Sequence, residues 1–223
     1  KDFMQFPDCG RTDLKFPRWE SVLPAAFESQ DSLIDKIMKR DLMIHVPYQS
    51  FDAYLRLLRE AAISPRVESI KTTLYRLAKD SKVVETLVTA AKNGKKVTVV
   101  IELLARFDEA SNISWSKKMR EAGINVVFGV EGLKVHSKIT WIKTTEGNLA
   151  CIGTGNFHEG NARVYTDCLL MTAHKKIVDD VNRVFDFIHS PFRPVRFKEL
   201  LVSPNNMKRQ ILQLIDEEIK NKR

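Results

Sequence analysis

Cysteine is scarce: the 223 residues hold only Cys9, Cys151 and Cys168, an odd number with no C-x-x-C spacing. A disulfide framework and a cysteine-built zinc site are both without support, and the thiols are expected to be reduced and mostly buried. Long apolar runs are missing too. None approaches the ~20 residues that a helix needs to cross a bilayer, and the opening KDFMQFPDCG has no signal-peptide core. No transmembrane segment is expected, and the cytoplasm is the expected compartment. Aromatic residues reach only 9% and do not alternate with basic ones, which speaks against a base-stacking platform for nucleic acid.

What is present is ordinary core material with a basic excess. Hydrophobic residues make up 43% and charged residues 29%, enough for one folded domain, with or without pieces of its neighbours. The formal net charge of +8 biases the surface toward polyanions: nucleic acid, nucleotides or chains of phosphate. A merely solubilising surface carries the same charge, so position has to decide.

Residues 1–30 are irregular and contain Pro7, Pro17 and Pro24; they read as a linker or the edge of another domain. Periodicity then sets in, with an amphipathic helix near 31–40, the segment LMIHVPY, and a helix near 50–62 opened by a serine N-cap. Strand VESIKTTLY, helix SKVVETLVTAAKNG, strand KKVTVVIELL, helix NISWSKKMREAG and strand INVVFG alternate next, the pattern of a mainly parallel sheet covered by helices. Gly94 and Gly123 stand where helix C-caps belong. After Gly132 come shorter strands, KVHSKITWIK, NLACIGTG and VYTDCLLMT, close enough in sequence for partly antiparallel pairing, and then a helix near 175–189. The closing MKRQILQLIDEEIKNKR is helical and uncapped, and is expected to lead into a further domain.

If KVHSKITWIK is a strand, Lys134, His136 and Lys138 share one face. Two flanking cations disfavour imidazolium and favour the neutral ring, whose nitrogen is able to attack phosphorus; the same lysines would then hold the phosphohistidine. Taken alone, an H-x-K triplet is more often a solvated basic edge strand. Downstream, in GTGN, Gly153 and Gly155 allow close backbone approach and Asn156 offers hydrogen bonds to an imidazole or a phosphate oxygen. A tight turn explains the same residues. Arg76 follows IKTTLY and Arg106 follows VTVVIELL, so both lie past the carboxyl ends of strands joined by one crossover helix, where ligands of open α/β sheets bind. Their guanidinium forks suit a polyphosphate or the tail of ATP, with salt bridges to Asp80 or Asp108 as the plainer reading. NARVYTDCLL puts Arg163, Tyr165 and Asp167 on one strand face, with Tyr165 against an adenine base or simply packed, and Asp167 orienting a histidine. His45, His158, His174 and His189 have no such company and read as structural or surface residues.

H-x-K followed by G-T/S-x-N resembles the half-motif of the phospholipase D superfamily, in which two such halves meet across a pseudo-twofold axis. That pattern usually has an aspartate shortly after the lysine, where this chain has Lys143, and the difference argues against a standard phosphodiesterase. In order along 71–167, IKTTLYR, VIELLARFDE, LKVHSK, IGTGNF and ARVYTD are similar to the successive signatures of the polyphosphate kinase family. Weaker likeness, as in DLKFPRW and LLVSP, extends over nearly the whole chain.

The resemblance implies an α/β fold, a phospholipase-D-like mixed sheet flanked by helices, over 31–195. On the same footing, 1–30 is a linker or the end of a middle domain, and 196–223 starts a second phospholipase-D-like domain. It implies that His136 takes the terminal phosphate of ATP as a phosphohistidine, leaving ADP, and passes it reversibly to inorganic polyphosphate, with Lys138 and Asn156 at the reacting centre. Tyr165 and Lys134 would bind ATP or its phosphates, and Arg76 and Arg106 are associated with the magnesium-bound phosphates. Arginine cannot ligate a cation, so Mg2+ would be held mainly by the nucleotide. A homo-oligomeric full-length enzyme is expected, with no nucleic acid as partner, and the piece in hand is expected to be inactive alone because the opposing wall of its site is missing. Two other readings stay open: a phospholipase-D-like nuclease or phosphodiesterase completed by homodimerisation, and a basic nucleic-acid-binding module.

Overall fold

Apolar side chains spaced for helices alternate along the chain with β-branched runs spaced for strands, and the computed structural model folds them into one sheet with helices on both faces. It describes residues 7, 10–14, 20–75, 77, 78, 80–102 and 109–221, without the side chains of 12 and 109–111. In chain order the elements are α1 (Leu33–Lys39), β1 (Leu42–Val46), α2 (Asp52–Ile63), β2 (Val67–Leu74), α3 (Lys82–Lys92), β3 (Lys96–Ile101), α4 (Glu109–Glu121), β4 (Asn125–Phe128), β5 (Ile139–Thr144), β6 (Asn148–Gly153), β7 (Asp167–Thr172), α5 (Lys175–His189) and α6 (Met207–Asn221).

The seven strands lie in the order β1-β7-β6-β5-β2-β3-β4. β2, β3 and β4 are parallel, with α3 and α4 as crossovers. β5, β6, β7 and finally β1 add on as antiparallel neighbours, so the expected mixed α/β sheet is what forms. Register decides what meets what. Thr72 of β2 pairs with Thr140 of β5, Ile139 with Ile152 of β6, and Gly153 with Leu169 of β7. The carboxyl ends of β2, β3 and β6 and the amino ends of β5 and β7 therefore share one rim of the sheet.

α1 to α4 pack on one face and α5 on the other, each with its own cluster. β5 serves both, since Ile142 belongs to the first cluster while Ile139 and Trp141 belong to the second, as strand alternation requires. α5 places Val178, Val181, Val184, Phe185 and Ile188 on its sheet side, each worth roughly 1.5–3 kcal/mol when fully buried. A polar thread crosses the larger core: the Tyr54 hydroxyl, wholly buried, lies 2.9 Å from Thr140 Oγ1, which lies 2.8 Å from Thr72 Oγ1. Both glycines expected at C-caps are there with left-handed φ, Gly94 at 80° and Gly123 at 81°.

Several boundaries differ from expectation for identifiable reasons. α1 begins at Leu33 because Ser32 Oγ accepts from Asp35 N at 3.1 Å and the Glu60 carboxylate accepts from Leu33 N at 2.7 Å. α2 is not capped by Ser50: Phe51 holds the N-cap position, and Ser50 Oγ accepts from Asp52 N at 3.2 Å. KVHSKITWIK becomes strand only at Ile139, and VYTDCLLMT only at Asp167. α6 buries none of its residues. No helix among the described residues is long and apolar enough to cross a membrane.

Candidate active site

Residues 134–138 approach the rim without strand pairing, which corrects the expectation that alternation aligns Lys134, His136 and Lys138. Past Thr72 the ladder between β2 and β5 is taken over by a side chain. Thr73 Oγ1 donates to Ser137 O at 2.7 Å and accepts from Ile139 N at 3.1 Å. One residue further along each strand, Tyr75 and Glu102 leave the carboxyl ends of β2 and β3, and Glu102 Oε2 accepts from Val135 N at 3.2 Å. These bonds hold the segment at the rim in place of a strand ladder.

The expected trio assembles all the same. Lys138 Nζ lies 3.0 Å from His136 Nδ1 and donates to His136 O at 2.6 Å. His136 meets the ring of Tyr75 edge-on, with centroids 5.4 Å apart. Lys134 Nζ and Lys138 Nζ sit 5.2 and 5.6 Å from the centroid of the same ring. His136 and Lys134 are exposed, whereas Lys138 is buried. Partial desolvation, then Lys138, then Lys134 hold the His136 imidazole below its ordinary pKa, so the neutral ring prevails at neutral pH. Burial likewise lowers Lys138, against the pull of Asp167. An ammonium only donates, so in this arrangement Nδ1 is the acceptor and the ring hydrogen of neutral His136 sits on Nε2.

The second motif is tied to the first through backbone: Gly153 N donates to Lys138 O at 2.8 Å. Beyond it Thr154 Oγ1 donates to Asp167 Oδ1 at 2.8 Å and accepts from Cys168 N at 3.0 Å. Asn156 lies in this turn with its Oδ1 buried and without a hydrogen-bond partner, beside a small recess it shares with Gly153, Gly155 and Asp167. A cleft of about 600 Å³ adjoins Lys134, lined by Glu102, Phe128 and the 129–133 turn.

Other expected residues fare differently. Arg163, Tyr165 and Asp167 do not share a strand face: Asn161–Arg163 is a 3-10 turn, and only Asp167 belongs to β7. The turn forms because His158 Nδ1 accepts from Gly160 N and Asn161 N, at 2.9 and 3.1 Å, which also gives His158 a structural role. Tyr165 follows the turn, 57% exposed, and is open to a ligand rather than packed. Arg76 and Arg106 lie outside the described residues, two and five positions past the ends of β2 and β3. Lys143 stands at the far end of β5, paired with Glu68 at 2.7 Å, roughly 16 Å of strand from Lys138 at ~3.3 Å per residue. The position where the half-motif has an acidic residue is therefore remote from the rim at which Lys138 lies. Among the described residues no group of three or more His, Cys, Asp or Glu side chains is placed to hold a metal ion. Tyr75, Glu102 and Thr73 are site residues that the sequence reading missed; their signal was position, at or just past the ends of strands.

The sheet, with the H-x-K segment and the G-T-G-N turn at one rim, has a phospholipase-D-like fold. Its fold resembles that of Nuc, a phospholipase D family member from Salmonella typhimurium, with a TM-score of 0.54 at 18% identity over 70% of this chain and 97% of that one. The likeness is much greater to polyphosphate kinase from Porphyromonas gingivalis, with a TM-score of 0.85 at 42% identity over 99% of this chain and 37% of that one. Residues 32–194 match the family described as polyphosphate kinase C-terminal domain 1; the chain belongs to the polyphosphate kinase family. It is 47% identical over 225 residues to polyphosphate kinase of Vibrio cholerae serotype O1, covering 99% of this chain and 32% of that protein. With the Escherichia coli K12 polyphosphate kinase it is 45% identical over 228 residues, covering 99% and 33%. The chain thus spans about a third of the length of the curated relatives it matches.

Proposed function

We propose that the chain carries the phosphoryl-accepting centre of an enzyme that transfers the terminal phosphate of ATP to inorganic polyphosphate, reversibly, through a phosphohistidine at His136. The observation that carries this reading is an exposed imidazole at a sheet rim, 3.0 Å from Lys138 Nζ and against the same Tyr75 ring as Lys134, in a chain of the polyphosphate kinase family. In the first step the ring nitrogen's lone pair forms a bond to the terminal phosphorus while the bridging P–O bond breaks, its electrons leaving on ADP. In the second, a terminal oxygen of polyphosphate attacks the same phosphorus and the P–N bond breaks, restoring the imidazole.

Lys138 has two roles in this scheme. At rest it occupies the imidazole lone pair. Phosphate oxygens, being anionic, are stronger acceptors for an ammonium, so an arriving phosphoryl group draws Lys138 off the ring and frees the nucleophile. Lys134 and Lys138 then offset the charge on the transferring group. Asn156, with its unpartnered buried oxygen, sits in the adjoining turn, and exposed Tyr165 is available to the nucleotide. Arg76 and Arg106 act as phosphate forks. Magnesium enters on the nucleotide phosphates, since arginine cannot ligate a cation.

On this reading residues 31–195 are the first phospholipase-D-like domain, 1–30 are a linker or the end of a preceding middle domain, and 196–223 open a second phospholipase-D-like domain. The working enzyme is cytoplasmic and homo-oligomeric, and this chain alone is inactive. The test is labelling of the complete enzyme with terminally labelled ATP, followed by mapping of the acid-labile, base-stable adduct. It is expected on His136 and absent from His136→Ala. Label that persists in that variant, or that maps to another histidine, overturns the proposal.

A further inference from the structure

Residues 134–138 have no strand ladder to align their side chains, yet His136, Lys134 and Lys138 come together. Left alone, two ammoniums repel each other, and an exposed lysine keeps its rotamer freedom. Something has to offset both terms. The group common to all three is the ring of Tyr75, with His136 edge-on at 5.4 Å and the two lysine nitrogens at 5.2 and 5.6 Å from its centroid.

The backbone that carries the ring is itself fixed. Asn112 of α4, wholly buried, donates through Nδ2 to Tyr75 O at 3.1 Å and to Glu102 O at 3.0 Å. Glu102 N donates to Leu74 O at 3.3 Å, and the Glu102 carboxylate grips Val135 N at 3.2 Å. The chain ends leaving β2 and β3 are thus clamped to each other and to the residue before His136.

We infer that Tyr75 is the positioning residue of this centre: its aromatic ring, not its hydroxyl, gathers His136, Lys134 and Lys138 into one constellation. Cation–π attraction holds each ammonium near the imidazole, and the ring's bulk keeps water from one side of it. The groups facing His136 are Lys134, Lys138 and Tyr75, with Glu102 one residue away at Val135 and Asp167 acting on Lys138. The bearing on phosphoryl transfer rests on the function proposed above; the geometry does not.

The experiment is an NMR titration of the His136 ring in this chain as wild type, Tyr75→Phe and Tyr75→Leu. Wild type and Tyr75→Phe are expected to titrate together, below the ordinary histidine value. Tyr75→Leu, which restores water and releases both lysines, is expected to titrate about half a unit or more higher. In the wild type the ε-methylene protons of Lys134 and Lys138 are expected to be displaced upfield by the ring current, a readout that requires no variant to fold. An unshifted titration in Tyr75→Leu, a Phe variant that behaves like Leu, or lysine protons at ordinary positions overturns the inference. Failure to find phosphohistidine, with the titration shift intact, overturns the proposed function and leaves the positioning role standing.

Discussion

Gly155 stands so close to Asp167 that a Cβ at position 155 would lie 2.2 Å from Asp167 Oδ2 and 2.9 Å from Asp167 Cβ. Its φ is not among the left-handed glycine values, so the reason for glycine here is space and not backbone freedom. The vacancy admits the carboxylate that accepts from Thr154 Oγ1 and whose charge bears on Lys138.

Gly155→Ala is therefore expected to push Asp167 aside and break its bond to Thr154. Overpacking of this kind costs about 1–3 kcal/mol, to be read as a lower urea midpoint with unchanged slope. A midpoint equal to wild type would show that the turn yields at no cost.

Thr73 substitutes a hydroxyl for two ladder bonds, donating to Ser137 O and accepting from Ile139 N. Thr73→Val keeps the shape but leaves a buried N–H and a carbonyl unpaired, at roughly 1–3 kcal/mol; Thr73→Ser keeps the hydroxyl and should lose clearly less. Amide exchange at Ile139 is expected to accelerate in the valine variant alone. Equal exchange in all three proteins would remove Thr73 from the account of how the His136 segment is held.

Burial pushes the Cys151 thiol up to about 12, leaving almost no thiolate at neutral pH, and the residue has no exposed surface. Under native conditions a thiol reagent should leave Cys151 unmodified, and in denaturant its modification should follow the unfolded fraction. Mass mapping after a short exposure checks this. Native-state labelling at the rate of a free cysteine would contradict the core packing around β6.

Legibility in the sequence followed the range of the forces involved. The α5 stripe and the glycine caps at 94 and 123 are local patterns, and they appear where the pattern puts them. The His136 and Lys138 pair was visible as a motif, but the expected alternation is not what assembles it. The decisive bonds come from Thr73, 64 residues from Ser137, and from Tyr75, and nothing local announces either pairing. LMIHVPY contains β1, a short edge strand with alternating burial, whose partner β7 is the last strand along the chain. Tyr165 was misplaced because NARVYTD alternates like a strand, whereas the His158 ring turns the backbone just before it. Arg76 and Arg106 fall outside the described residues.

Asp180 offers the sharpest test of how the segment after α5 is attached. Its side chain is wholly buried; Oδ2 accepts from Lys198 N, Glu199 N and Leu200 N at 2.7, 2.7 and 3.0 Å, and Oδ1 accepts from Arg183 at 2.5 Å. Burial alone would raise its pKa, but the three amides and Arg183 outweigh burial and hold it below the ordinary carboxylate value. A group whose folded pKa is depressed contributes stability above its unfolded value of about 3.9 and loses it as pH falls through the folded value. Asp180→Asn keeps the shape and removes the charge, and with its oxygen left for the three amides it turns a donor toward Arg183; hydrogen bonds to a charged group are worth roughly 1.5–3 kcal/mol. At pH 7 the variant should unfold at lower urea, with amide exchange at 198–200 faster than in wild type. As pH is lowered from about 4 toward 2 the gap in stability should narrow, because wild type then loses the same charge. A gap that stays constant across that window would mean that Asp180 acts through shape alone, and that its charge does not anchor the segment leading to α6.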